Sequence, residues 1–226
     1  MQSRIATLLI FCKQPRLNHG KQRLATNIGA EPAFNIAKAL LECATEDAKA
    51  WPGPVVISPS HSDQLVWAQS LLPTASVIPQ PEGNLGDRIK AVDAALREQG
   101  HEQIITIGTD APVLNQHYLM ATAKQLCESD VVMSAASDGG VTIMASSHPW
   151  PEIADLPWST ERLNEGLYSK CTSVGLSVSY VDPSYDIDHE QDLHKLIIDL
   201  AEDLRPARQR LLSLTRKILN KDESYA

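Results

Sequence analysis

The sequence is short of the residues that mark several functional classes. Four cysteines are spread over 226 residues, at positions 12, 43, 127 and 171. No two have the CxxC spacing of a zinc site, and their scatter does not read as a disulfide framework. They predict reduced, buried thiols in a cytoplasm. The apolar run at residues 5–12 is too short to span a bilayer. It lacks the small-residue cleavage site of a signal peptide, so it predicts a first strand instead. Seven histidines show neither HxH nor HExxH spacing, and no serine stands in a GxSxG elbow. Zinc-dependent and serine-dependent hydrolysis are therefore not indicated. GxGxxG and Walker A loops are missing as well, which removes two common nucleotide folds. Cations are outnumbered, 20 Lys and Arg against 28 Asp and Glu, for a net charge of −8. That balance argues against general nucleic-acid binding.

What cations there are lie unevenly. Arg4, Lys13, Arg16, Lys21 and Arg23 all precede the first acidic residue, Glu31. A basic first segment in an acidic chain suits either an anionic ligand or a solvated loop. Residues 103–112, QIITIGTDAP, carry the strongest strand signal. Ile104, Ile105 and Ile107, broken only by Thr106, read as a strand buried on both faces. The strand ends at once in Gly108-Thr109-Asp110. The carboxyl ends of parallel strands are where open α/β sheets bind ligands. Asp110 is either a turn or helix-cap residue or a functional carboxylate.

The rest of the chain alternates strand and helix. Strands are expected at residues 4–11, 55–58, 75–79 and 130–135, with helices following Pro32 and at 61–72, 87–98 and 115–127. Such alternation specifies a parallel sheet with helices on its faces. The rhythm breaks at Ser137-Asp138-Gly139-Gly140, a turn signal followed by a short strand at 141–145, which predicts a hairpin and an antiparallel strand. A helix at 160–172, capped by Ser159 or Thr160, a last strand at 176–181 and a helix at 193–204 complete the expected domain, residues 1–204. Asp188 with Gln191 forms a capping-box pattern before that helix. Residues 205–220 predict a further amphipathic helix and 221–226 a frayed tail.

Three groups of residues can do chemistry. Lys13, Lys21 and Arg23 lie between a strand end and a helix, where backbone N–H groups and lysine or arginine charges favour phosphate. Gln80, Gly83 and Arg88 form a second polar turn, and Gly83 allows close backbone approach to a ligand. Arg88 falls in a first helical turn, a poor place for a cation unless an anion faces it. Asp138 stands in the hairpin turn, and Asp186 and Asp188, two apart, point the same way in an extended segment. Carboxylates at several strand ends opposite a cationic loop suit a divalent metal bridging phosphate oxygens.

The motifs Lys13-x-Pro15…Lys21-x-Arg23-Leu24, Gln80-x-x-Gly83-Asn84-Leu85-Gly86-x-Arg88, Gly108-x-Asp110-x-Pro112, Asp138-Gly139-Gly140, Trp158-Ser159-Thr160 and Asp186-x-Asp188-x-x-x-Asp192-Leu193 occur in one order. In that order the chain resembles the DUF2064 proteins, a bacterial family of glycosyltransferase-A-like proteins related to nucleotide-diphospho-sugar transferases. The resemblance runs from about residue 5 to 196. It implies a Rossmann-like three-layer fold with a mixed, mainly parallel sheet, binding a nucleotide sugar or nucleotide with Mg²⁺ or Mn²⁺. It matches Asp110 to the metal-side aspartate after the fourth strand. Asp138 and Asp188 become the catalytic candidates, and Lys13, Lys21, Arg23, Gln80, Gly83 and Arg88 the nucleotide-binding ones. The chain departs from the family at Asn18, where the family has Gly, at Gln22 for Thr, and at Val141 for an aromatic. The implied activity is sugar transfer from a nucleotide donor to a small-molecule acceptor. The alternatives are nucleotidyl transfer to a phosphate-bearing small molecule, or a nucleotide-binding protein without catalysis.

Overall fold

In the computed structural model, which describes residues 5–222, β1 (Thr7–Cys12) leads through α1 (Gln22–Ile28) and α2 (Ala30–Ala50) to β2 (Val55–Pro59). Next come α3 (Leu65–Leu71), β3 (Ser76–Val77), α4 (Leu85–Glu98), β4 (Ile104–Ile107) and α5 (Gln116–Gln125). β5 (Val131–Ala135), β6 (Val141–Ser146), α6 (Leu163–Ser173), β7 (Val178–Tyr180), α7 (Glu190–Asp199) and α8 (Pro206–Asp222) follow. Arg4, counted above with the basic segment, and residues 223–226 of the expected tail lie outside the described residues.

The strands form one sheet in the order β3-β2-β1-β4-β6-β5-β7. β4 is central, as its sequence predicts, and β6 alone runs against its neighbours. Alternation along the strands explains the layers. Leu8, Ile10, Ile105 and Ile107 enter one core cluster, and Leu9 and Ile104 enter another with Val92 and Leu96 of α4. Isoleucine in successive positions of β4 thus feeds both faces, which is why no polar position appears among its residues except Thr106. A third cluster joins α1, α2, α7 and α8 through Leu24, Ile36, Leu40, Leu193, Leu196, Leu211 and Ile218. Among the described residues no helix is long and apolar enough to cross a membrane. Cys12, Cys43 and Cys171 are buried, but Cys127 is exposed just beyond α5, which corrects the expectation that all four are buried.

Several boundaries move, each for a local reason. α1 is unannounced in the sequence, because Lys21 at its N-cap offers no side-chain cap. α4 starts at Leu85 rather than Asp87. Asn84 accepts from the Asp87 N–H at 3.1 Å and Asp87 accepts from the Asn84 N–H at 3.0 Å, a reciprocal capping box. The helix expected at 61–72 is shorter, since its first turn is a 3-10 turn at Ser62–Gln64, and Leu65, the first residue of α3, is exposed. α6 starts at Leu163, not 160, and is capped by neither Ser159 nor Thr160. Ser159 sits at φ 63, outside helical geometry. Before α7, Asp192 rather than Gln191 closes the box, accepting from the N–H groups of Asp188 at 2.9 Å and His189 at 2.7 Å. Asp188 is therefore not the cap, and its carboxylate is free for other partners.

Candidate active site

The first loop folds back tightly. Its backbone bridges Arg16 and His19, and Asn18 takes the left-handed conformation at φ 61. The Gln22 side-chain amide donates to the Asn18 carbonyl at 2.8 Å. Two of the departures from the family pattern thus support each other in shaping this turn. Lys21 follows at φ 50. A left-handed lysine is strained by about 1–3 kcal/mol, a cost that persists when surrounding contacts impose it. Here those contacts are visible. The Lys21 side chain is only 6% exposed, with its ammonium 2.9 Å from the Asp110 carboxylate and 3.1 Å from that of Asp188. The same ammonium donates to the Ile187 carbonyl at 2.5 Å. Burial works against its charge, but Asp110 and Asp188 outweigh burial and hold its pKa above the usual lysine value.

The two carboxylates are brought together by backbone. The Ile187 N–H donates to the Asp110 carbonyl at 2.9 Å, tying the segment before α7 to the end of β4. α5 is capped by Asn115, which accepts from His117 and Tyr118, so Asp110 is not a helix cap. Asp110 and Asp188 are 46% and 37% exposed, and Arg23, at 61%, reaches Asp188 at 3.4 Å. Half-buried Asp186 lies near enough to feel both charges. Burial first, then the charge of Asp110, and less strongly Asp188 and Asp138, push its carboxyl up to about 7 against the pull of Lys21. Asp138 itself is exposed in the β5–β6 turn and accepts from the Gly140 N–H at 3.0 Å. Four aspartates therefore share one neighbourhood with a single buried lysine. Asp186 is the member that the sequence does not rank among the site residues. Its only signal is the Asp-x-Asp spacing.

The second polar turn is built from β2, β3 and α4. Gln80 is buried, donates to the Ser58 carbonyl at 2.7 Å and accepts from Arg88 at 2.9 Å. Arg88 also donates to the Asn84 carbonyl at 3.2 Å. Gly83, exposed at φ 119, begins this turn. The expected anion-site residues thus form two groups, Lys21 with Arg23 and Arg88 with Gln80. Lys13 is exposed directly after β1, whose last residue, Cys12, stands beside Pro59 of β2. All of them follow carboxyl ends of parallel strands.

The Trp158-Ser159-Thr160 stretch joins these loops. Trp158 donates its indole N–H to the Ile153 carbonyl at 2.8 Å, and Asn84 donates to the Ala154 carbonyl at 2.9 Å. Gly139, at φ 86, lies so close to Glu161 that an added Cβ would fall 2.0 Å from its carbonyl oxygen. Gly139→Ala is therefore expected to lower stability by about 2 kcal/mol or more, from the strained φ and the clash together. Urea titration checks this, and a loss under about 0.5 kcal/mol would show that the contact yields freely.

Among the described residues no three His, Cys, Asp or Glu are grouped to hold a metal ion. A cleft of about 480 Å³ opens nearby, lined by Ser137, Ser184, Tyr118, Tyr185, Lys195 and Asp199 among others, and by none of the expected site residues. Its polar groups serve one another. Tyr185 donates to Asp199 at 2.7 Å, and the Lys195 ammonium sits 3.6 Å above the Tyr185 ring.

A family model described as "Uncharacterized protein conserved in bacteria (DUF2064)" matches residues 41–160. No curated protein matches the chain. Among solved structures, a "putative nucleotide-diphospho-sugar transferase" from Desulfovibrio desulfuricans G20 superposes with a TM-score of 0.85 at 19% identity, covering 96% of this chain and 99% of that one. A nucleotidyl transferase from Methanothermobacter thermautotroptrophicus gives 0.59 at 14% identity, over 86% and 96% of the two chains. A cytidylyltransferase from Leptospira borgpetersenii gives 0.57 at 13%, over 95% of each. The chain has the Rossmann-like, glycosyltransferase-A-type architecture, with a mixed, mostly parallel sheet and helices on both faces.

Proposed function

The chain belongs to the DUF2064 family, and from its site we propose that it is a metal-dependent transferase taking a sugar from a nucleotide-activated donor. One observation carries this reading. The buried lysine of the basic first loop lies between two aspartates that end separate parts of the chain, Asp110 and Asp188. A phosphate-binding loop and a carboxylate pair that meet at strand ends suit a ligand bearing phosphate and a cation. The residues fit a divalent ion in kind. Their donors are hard carboxylate oxygens, and the Lys21 ammonium already marks a point where a cation lies against both. Asp110 would hold Mg²⁺ or Mn²⁺, with Asp188 alongside. A bound ion would draw charge from the diphosphate leaving group.

The remaining roles follow from position. Lys13, Arg23 and, once an ion on Asp110 and Asp188 releases its ammonium, Lys21 would grip phosphate oxygens, with Lys as a point charge and Arg through paired hydrogen bonds. Gln80, Gly83 and Arg88 would receive the nucleoside side of the donor. Asp138, exposed beside the carboxylate group, and Asp188 would orient a small acceptor and accept its hydroxyl proton. The extent of the likeness to the Desulfovibrio protein supports a diphosphate-sugar donor. The nucleotidyltransferase reading is favoured by one feature, the concentration of Lys13, Arg16, Lys21 and Arg23 in the loop after β1 and the first turn of α1, which suits the greater charge of a triphosphate.

The test is a melting panel of nucleotide sugars, nucleoside diphosphates and triphosphates, each with and without Mn²⁺. A ligand at about 100 times its Kd stabilises by roughly 2.7 kcal/mol, a shift of roughly 5–10 °C for a chain of this size. Asp110→Asn is expected to remove the Mn²⁺-dependent part; it also takes one carboxylate from the buried Lys21 and lowers the ligand-free melting point, so each shift is read against the mutant's own ligand-free value. A mutant that responds to Mn²⁺ like the wild type would rule Asp110 out as the metal residue. A response to triphosphates alone would select nucleotidyl transfer, and binding without turnover would select a non-catalytic protein.

A further inference from the structure

Arg208, in the first turns of α8, is the bulkiest fully buried side chain of the described residues. A guanidinium has five N–H donors, and five hydrogen bonds use them. Nε donates to the Pro112 carbonyl at 3.2 Å and Nη2 to the Leu114 carbonyl at 2.9 Å. Nη1 donates to the Cys43 carbonyl at 2.5 Å and to Glu46 at 3.1 Å, and Nη2 also meets Asp47. Packing alone does not call for this arrangement. Replacing a whole buried ion pair by apolar side chains is often neutral or stabilising. What an apolar residue cannot do is hold two carbonyls of one turn. Those carbonyls are buried and belong to the turn that leaves β4, two and four residues after Asp110.

We propose that Arg208 is a positioning residue for the candidate site. It fixes the 110–114 turn and with it the Asp110 carboxylate. Through the bond between the Ile187 N–H and the Asp110 carbonyl, it also fixes the placement of Asp188. A helix from the far end of the chain is thereby part of the site without touching a ligand. This rests on the reading of Asp110 and Asp188 as site residues, and the experiment separates the two.

Two variants are compared with the wild type. Arg208→Lys keeps a cation for Asp47 but loses the planar fork that spans both carbonyls. Arg208→Met combined with Asp47→Leu removes the Arg208–Asp47 pair, leaves Glu46 on the Ala207 N–H and leaves Arg205 paired with Asp203. The first readout is amide hydrogen exchange in the ligand-free protein. The Ile187 and Leu114 amides are expected to exchange at least about tenfold faster in both variants, with β1 and β2 amides unchanged, as for local opening. The second is the affinity of ADP, CDP, GDP and UDP with Mn²⁺, expected to fall at least about tenfold for whichever binds the wild type, a loss of roughly 1.4 kcal/mol. Unchanged exchange at Ile187 and Leu114 in whichever variants fold overturns the proposal. So does wild-type affinity in a variant whose exchange has risen. If neither variant folds, the Arg208 network is a scaffold requirement and the proposal also falls. If the wild type binds none of the four diphosphates, the functional reading fails on its own, while exchange still decides whether Arg208 sets the turn.

Discussion

Arg208→Ala is expected to cost about 3–5 kcal/mol of stability, the usual effect of removing one partner from a buried pair. For a domain with 5–15 kcal/mol in total, that is a large share. The loss has two sources. Asp47 is buried and keeps only Arg205, itself shared with Asp203. The Pro112 and Leu114 carbonyls lose their donor in the interior, at about 1–3 kcal/mol for each unsatisfied group. The check is the urea midpoint at fixed pH, with the slope compared to confirm a two-state transition. A loss below about 1 kcal/mol would mean that water or a neighbour replaces the guanidinium. Arg210→Ala, at an exposed residue that pairs with Glu42 at 2.9 Å, should stay within about 0.5 kcal/mol and serves as the control.

The second large effect concerns pH and runs opposite to the ordinary aspartate case. The surroundings of Asp186 push its carboxyl from the ordinary 3.8 up to about 7 in the folded chain. Between those values the folded state binds more protons than the unfolded one, so stability falls as pH rises. The contribution is greatest below about pH 4, declines through pH 4–7 and is fully lost above 7. Three units at about 1.4 kcal/mol each set a ceiling of about 4 kcal/mol. Because the carboxyl is only half-buried, solvent reduces this to the order of 2 kcal/mol. Asp186→Asn removes the proton exchange. In EDTA it is expected to flatten the decline between pH 5 and 8 and to leave the protein more stable than wild type at pH 8. Parallel wild-type and mutant stability curves across that range would show that Asp186 ionises normally.

Legibility in the sequence followed the range of the forces involved. β4 was readable because burial on both faces leaves a run of β-branched residues, and the turn at Asp138 because glycines mark it. The antiparallel strand after that turn followed from the same signal. Asp188 was ambiguous in sequence, since its spacing from Gln191 imitates a capping box. Only the position of Asp192, which takes both N–H groups, frees it for Lys21. Lys21 was readable as a cation but not as a buried one. Its partners lie 89 and 167 positions away (110 − 21 and 188 − 21), beyond any local pattern. Asp186 was hidden for a related reason. Its shift comes first from burial and then from the aspartates at 110, 188 and 138, and both arise only when the sheet closes. Arg208 falls within the amphipathic helix expected at 205–220, and periodicity does not tell a buried cation from a solvated one.

The Arg208 contacts also have a consequence in time. They connect positions separated by 161 residues at Asp47 and by 96 at Pro112. Closing such long loops adds little extra entropy cost with each further residue, but it cannot begin until the last helix exists. A chain synthesised at about 5–20 residues per second makes Arg208 roughly 5–20 seconds after Pro112. At the start of that interval only β1 to β4 can pair, and β5, β6 and β7 join as they are made, while Asp47 has no guanidinium from α8 and the turn after β4 has no donor for its carbonyls. The candidate binding edge therefore matures later than the sheet that carries it, and a nascent chain passes through a stage that has the architecture before the candidate site is set.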